Sequence, residues 1–152
     1  MNKLNPVQQK FILHWGEMGT RWGINRTVAQ IHALLYTSPR PLHAEEIAET
    51  LQVARSNVSN SLRELQGWGV AKLVHVMGDK RDHFDSMKDV WEMFRVVLDE
   101  RKKREIDPTI AILRECVAEA AADKATDAYT EGKLRELADF FELTGSWYGQ
   151  IR

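Results

Sequence analysis

The chain has 152 residues, a formal net charge of −1, 43% hydrophobic and 28% charged residues, which is typical of a folded protein with a sizeable core. It contains one cysteine, which excludes an internal disulfide framework. No apolar run reaches the roughly 18 residues of a membrane span, and the N-terminus lacks a signal peptide, so we expect a cytoplasmic protein with no membrane partner.

The charge is unevenly distributed along the chain. Residues 52–81 contain five basic and two acidic side chains, a balance of +3. Residues 105–145 contain four basic and ten acidic side chains, a balance of −6. A basic centre and an acidic C-terminal third are typical of a protein that presents one surface to phosphate.

Apolar periodicity predicts four helices in the first part of the chain. They cover about residues 6–18, 25–36, 43–51 and 55–66, and the prolines within 38–41 separate the second from the third. The fourth helix buries Val58, Leu62 and Leu65. A different face carries Ser56, Ser59, Asn60 and Arg63, groups that can approach base edges and phosphates closely.

A hairpin is predicted directly after the fourth helix. Residues 70–76 have the alternation of a strand, residues 77–82 form a turn with Lys80 and Arg81 at its tip, and the return strand begins at His83. Two helices, a tight turn and a hairpin are the plan of a winged helix-turn-helix. The basic tip could lie against a phosphate backbone or in a minor groove.

The rest of the chain is predicted to be helical. The fold class is therefore mainly α with a small β-hairpin, divided into an N-terminal dimerisation helix (1–24), a winged head (25–86) and a helical linker with a C-terminal dimerisation region (87–152). A homodimer is predicted because the first and last helices carry more apolar surface than a small head could cover: Phe11, Trp15, Leu137, Phe140, Phe141, Trp147.

The run LHAEEIAETLQVARSNVSNSLRELQGWGVAKLVHVMGDKRDHF resembles the winged helix of the MarR superfamily of bacterial and archaeal transcriptional regulators. The segments DVWEMFRVVLDERKKREIDP and WG…WGINRTVAQIHALLY resemble its GbsR-like branch, so the likeness covers roughly residues 15–108. The resemblance implies a homodimer whose terminal helices pair, two heads that read a palindromic site, and an effector that alters DNA affinity.

The resemblance implies that the recognition helix and the wing contact DNA. The full predicted set of DNA-binding residues is Arg55, Ser56, Asn57, Ser59, Asn60, Arg63, Lys80, Arg81. Ala54 departs from the family pattern, which has a serine-like cap there. Either the helix lacks a bond of about 1 kcal/mol, or Ser56 becomes the cap and the helix starts two residues later. His83 stands where many relatives have an aromatic residue.

Some GbsR-like members are associated with genes for betaine or choline handling, which suggests an aromatic cage for a quaternary ammonium. The predicted effector residues are Trp15, Trp22, Tyr36 and Trp91. Tryptophans at helical spacing also fit core or dimer packing, and that alternative stays open.

The function predicted from these observations is a dimeric, sequence-specific DNA-binding regulator, a repressor, that reads a palindromic operator with helix 55–66 and wing 77–83. Its partners would be double-stranded DNA, a second copy and an effector. The alternative is a winged-helix protein–protein interaction module without DNA binding. The chain has no nucleophile elbow, phosphate loop or metal-ligand spacing, so we predict no enzyme activity, cofactor or metal.

Overall fold

A computed structural model describes residues 4–151. Its elements are α1 (Pro6–Arg21), α2 (Arg26–Thr37), β1 (Leu42–His43), α3 (Ala44–Leu51), α4 (Arg55–Trp68), β2 (Ala71–Val76), β3 (Asp79–Ser86), α5 (Val90–Arg101), a π-helical segment (Lys102–Ile106), α6 (Asp107–Ala122) and α7 (Ala128–Ile151). This mostly helical architecture with a small antiparallel sheet confirms the predicted fold class.

The chain forms two compact units, and the boundary between Val96 and Val97 falls inside α5. The first unit has one apolar core, to which α1, α2, α3, α4 and the sheet all contribute. Each fully buried side chain contributes roughly 1.5–3 kcal/mol by leaving water. The largest of them are Ile31, Leu35, Ile47, Val58, Leu62, Leu65 and Val70.

Helix α1 continues to Arg21, three residues beyond the predicted end near Met18. The glycine that was expected to end it, Gly19, is buried within the helix, and a Cβ there would lie 2.7 Å from the Cβ of Ala29. Gly19 therefore permits the close approach of α1 to α2 instead of terminating α1.

Helix α4 begins at Arg55 with Ala54 as its N-cap, and Ala54 makes no side-chain capping bond. The structure thus selects the first of the two alternatives, a helix start without a cap bond. The apolar stripe of Val58, Leu62 and Leu65 is buried as predicted. The C-terminal end lies at Trp68, two residues later than expected, and is capped by Gly69.

The sheet has the order β1-β3-β2 and is antiparallel throughout. Strand β1 was not predicted, because two residues give no periodicity. It exists through pairing with β3, in which Leu42 lies opposite Phe84 and His43 opposite His83. His43 also caps α3: its Nδ1 accepts from the backbone N–H of Glu46 at 3.3 Å.

The second unit contains the π-helical segment, α6 and α7. An ion pair joins the two long helices, with 2.6 Å between Arg114 Nε and Glu142 Oε1. Leu113, Ala120 and Ala138 are its buried apolar residues among those described. Within residues 4–151, no helix combines the length and apolar character that a bilayer crossing needs.

Candidate nucleic-acid interface

The outer face of α4 carries exposed polar side chains. Ser56, Asn57, Asn60 and Arg63 are exposed, whereas the opposite face is buried in the core. Arg63 Nη1 donates to Asn60 Oδ1 at 3.4 Å, so these two side chains point along the same side of the helix. The exposed groups include donors and acceptors suited to base edges and phosphates.

A groove of about 320 Å³ lies between α4, the start of α3 and β3. It brings together four of the predicted DNA-binding residues: Arg55, Ser59, Arg63 and Arg81. Arg55 Nη1 donates to Ser59 Oγ at 2.6 Å, which holds the arginine along the helix. Lys80 is exposed on β3.

The wing differs from its prediction at the tip. The turn contains only Met77 and Gly78, because Val76 pairs with Asp79, and Lys80 and Arg81 therefore lie on β3 and not at the tip. The two-residue turn is allowed by Gly78, whose φ of +84° suits glycine.

The two cationic residues of the wing, Lys80 and Arg81, lie in a β-bulge of β3. Between the pairs Val74–His83 and Val76–Asp79, β2 has one residue whereas β3 has three, residues 80–82. Bulges bend a strand and redirect its side chains. Periodicity in the sequence could not show this bulge, since it depends on the partner strand.

Arg81 is held by two carboxylates, those of Asp79 and Glu45. Its Nε and Nη2 donate to Asp79 Oδ1 and Oδ2 at 3.0 and 2.9 Å, and its Nη1 lies 3.9 Å from Glu45 Oε2. The guanidinium hydrogen bonds hold the pKa of Asp79 well below its usual range, and the carboxylate raises the pKa of Arg81. The spacing of Asp79 and Arg81, two residues apart on a strand, was the available signal.

His83 is buried at the base of this arrangement and supports it. Its Nδ1 lies 2.9 Å from the carbonyl oxygen of Arg81, and its Nε2 lies 3.5 Å from Asp79 Oδ2. Its ring packs edge-on against His43, with 5.4 Å between centroids. The histidine thus occupies the place of an aromatic residue by packing as a ring.

The predicted effector residues are only partly brought together. Trp15 and Tyr36 lie on either side of His32, with ring centroids 6.2 and 6.5 Å from the imidazole. Trp22 and Trp91 are 57% and 82% exposed, so the four residues do not form one enclosed cage. Tyr36 already has a cation at its ring, because Lys88 Nζ lies 5.9 Å from the centroid.

Comparison with known proteins links part of the chain to a known family. Residues 22–82, the segment that contains α2 to α4 and most of the wing, match the model of the MarR family. This confirms the predicted MarR superfamily regulator of the GbsR-like branch, and the family is one of DNA-binding transcriptional regulators, not of enzymes.

Two relatives extend the likeness beyond the MarR segment. The HTH-type transcriptional repressor GbsR of Bacillus subtilis (strain 168) is 21% identical over 134 residues, which cover 86% of this chain and 74% of that protein. A crystal structure described as a transcriptional regulator has a TM-score of 0.73 at 18% identity, covering 96% of this chain and 95% of that chain. The second likeness shows that the fold is shared over nearly the whole length.

Proposed function

We propose that the chain acts as a homodimeric repressor that reads a palindromic operator with α4 and the β2–β3 wing, and that a small-molecule effector alters its affinity for DNA. The observation that carries the proposal is the exposed polar face of α4, where Ser56, Asn60 and Arg63 adjoin the groove that also contains Arg81. In such a dimer, the two copies of α4 would enter successive major grooves roughly 34–36 Å apart.

The side chains of α4 have distinct roles in this proposal. Arg63 can donate two hydrogen bonds to a guanine, and Asn60 can pair with an adenine, so these residues would supply sequence discrimination. Ser56 and Asn57, near the start of α4, would contact phosphate and fix the register.

The wing would contact DNA through Lys80 and Arg81. Asp79 holds Arg81 in one orientation. This orientation would lower the conformational entropy that Arg81 loses when it meets a phosphate or enters a minor groove. The carboxylate also reduces the net charge of the wing, so the wing would contribute less to salt-dependent affinity than two free cations.

Three observations support the finer parts of the proposal. An exposed apolar stripe on α7 offers a surface for a second copy: Leu137, Phe140, Leu143, Trp147. The relative from Bacillus subtilis is named a repressor. The ring cluster of Trp15, His32 and Tyr36 provides aromatic surface for an effector.

The test is a titration of duplexes from the chain's own promoter region over a series of salt concentrations. We expect log K to fall steeply with log salt, by about 0.9 per phosphate contact. The triple variant Arg63→Ala, Lys80→Ala, Arg81→Ala should bind roughly 100-fold or more weakly and lose up to about three units of salt slope.

A matched control removes three positive charges from the second unit, by Lys124→Ala, Lys133→Ala and Arg135→Ala. This control should keep nearly all of the affinity and slope, since only charges at the interface release counterions. A flat salt response, or equal affinities for the two triple variants, would contradict the proposal. If no duplex is shifted and a protein co-purifies stably, the interaction-module alternative is favoured instead.

A further inference from the structure

Lys88 makes an unusual set of contacts at the C-terminal end of α2. Its Nζ donates to the carbonyl oxygens of Leu35, Tyr36 and Ser38 at 2.6, 3.0 and 3.0 Å. The last carbonyls of a helix have no partner within the helix, and their partial negative charge attracts a cation. An ammonium has three N–H donors, and all three are used here.

These bonds matter because Lys88 lies between the wing and the next helix. Lys88 is the middle residue of a three-residue connector, Met87 to Asp89, between β3 and α5. On one side, the Met87 N–H donates to the carbonyl oxygen of Val70 at 2.9 Å. On the other side, Asp89 Oδ1 accepts from the N–H groups of Trp91 and Glu92 at 2.9 and 3.2 Å and so caps α5.

The Lys88 side chain is held in place although 45% of it is exposed. Asp85 Oδ1 lies 3.5 Å from its Nζ, and the Tyr36 ring lies beneath it at 5.9 Å. A surface lysine without such partners would stay in water and sample many rotamers. The connector is therefore tied to α2 by bonds that join residues 50 to 53 positions apart.

We propose that Lys88 is a positioning residue: it locks the connector between the wing and α5 onto the end of α2, and so fixes the direction in which α5 leaves the head. This proposal rests on the proposed function. Helix α5 leads into the second unit, which carries the apolar stripe assigned to the second copy. The direction of α5 then sets the spacing of the two recognition helices on an operator.

The consequence is a specific loss in binding. A single head on one half-site does not depend on the connector, whereas two heads must match half-sites about one helical turn apart. A loosened connector should leave half-site affinity nearly intact and reduce the gain that comes from binding both half-sites at once.

The experiment compares the full-length chain and its variants on two duplexes, one with both half-sites and one with a single half-site, recovered by selection from the promoter region. In Lys88→Met, the ratio of half-site Kd to full-site Kd should fall at least about 10-fold, with half-site Kd within about three-fold of wild type. Lys88→Arg, which keeps the charge and the donors, should restore most of the ratio.

The matched control is Lys72→Met, which removes one exposed lysine from β2 in the same hairpin and should leave the ratio unchanged. Hydrogen exchange supplies a readout without DNA. Amides of residues 87–96 should exchange faster in Lys88→Met than in wild type, and those of α4 should not. Light scattering should show the same oligomer for both proteins.

The outcomes separate the two proposals. A wild-type protein that binds neither duplex overturns the proposed function and the spacing role with it. Normal wild-type binding with an unchanged ratio in Lys88→Met overturns the role of Lys88 alone. An equal loss on both duplexes, or a change of oligomer, also overturns it, because either result would place Lys88 in the stability of the head or of the dimer.

Discussion

His32 is a partly buried titratable side chain of the first unit whose Nε2 is shielded from solvent, and its ionisation is coupled to folding. The ring lies between Trp15 and Tyr36, and its Nε2 has no hydrogen-bond partner among the described residues. Burial, with a further contribution from the charge of Lys88, lowers the pKa of His32 from 6.5 to about 4. The folded protein therefore keeps this imidazole neutral under mildly acidic conditions, whereas the unfolded chain protonates it.

The stability linked to His32 is fully present above pH 6.5 and is lost as pH falls from 6.5 towards 4, by about 3 kcal/mol in total. Substitution His32→Phe keeps an aromatic ring beside Trp15 and removes the titration, so its melting temperature should change less over that range. Thermal unfolding at a series of pH values measures the difference.

The control for this prediction is His14→Phe, which changes an exposed histidine of α1. That variant should keep the wild-type loss of stability between pH 6.5 and pH 4. The pKa of Asp79 is lowered from its ordinary value of 3.8, so the stability linked to Asp79 is lost mainly at pH values below the range in which His32 acts. The same pH dependence in His32→Phe as in wild type would exclude His32 as its source.

At the scale of single elements, the uncapped start of α4 is a site for stabilisation. Ala54 has extended backbone angles, φ −63° and ψ 142°, and has no side-chain oxygen to accept from the first helical N–H groups. Ala54→Ser would provide an acceptor for the Asn57 N–H and should stabilise the protein by about 1 kcal/mol. For a chain of this size, the melting temperature should rise by roughly 2–4 °C.

A serine that is not at a cap provides the comparison for Ala54→Ser. Ala111 is exposed within α6, and Ala111→Ser should lower stability by up to about 0.5 kcal/mol because serine is a weaker helix former. If both serine variants melt at the same temperature, a missing cap at Ala54 is not a source of instability.

The elements that were predicted from the sequence are those with local causes. Helix α2 was predicted within one residue at each end because its apolar spacing and the Asn25 cap lie within the segment. The buried stripe of α4 was predicted for the same reason. Strand β1, the bulge in β3 and the extension of α1 past Gly19 depend on partners elsewhere in the chain, which periodicity does not contain.

The features of the candidate site also divide into those with local causes and those that depend on distant segments. The polar face of α4 could be read from helical spacing, since every third or fourth residue shares a side. The groove that unites Arg63 with Arg81 depends on how β3 packs beside α3 and α4. The contact of Arg81 with Glu45 and the bonds from Lys88 to α2 link distant segments, so only the structure reveals them.

At the scale of the whole molecule, α7 carries four large exposed apolar side chains on one side. Leu137, Phe140, Leu143 and Trp147 are spaced by three, three and four residues, which places them within one face of a helix. Each is between 47% and 70% exposed. By contrast, Phe11 and Trp15 of α1 pack against the core of the first unit, so they leave less surface for a second copy than their sequence positions suggested.

The substitutions Phe140→Glu and Trp147→Glu should therefore weaken dimerisation at least about 100-fold, because each would place a carboxylate where an aromatic ring is expected to lose contact with water. Sedimentation over a range of protein concentrations measures the dissociation constant.

Leu73→Glu with Met77→Glu is the matched control, since both wing side chains are exposed, 43% and 101%, and lie far from α7 in the chain. The control should remain a dimer. A wild-type protein that is monomeric at micromolar concentration, or an α7 variant that associates as tightly as wild type, would remove α7 from the dimer interface.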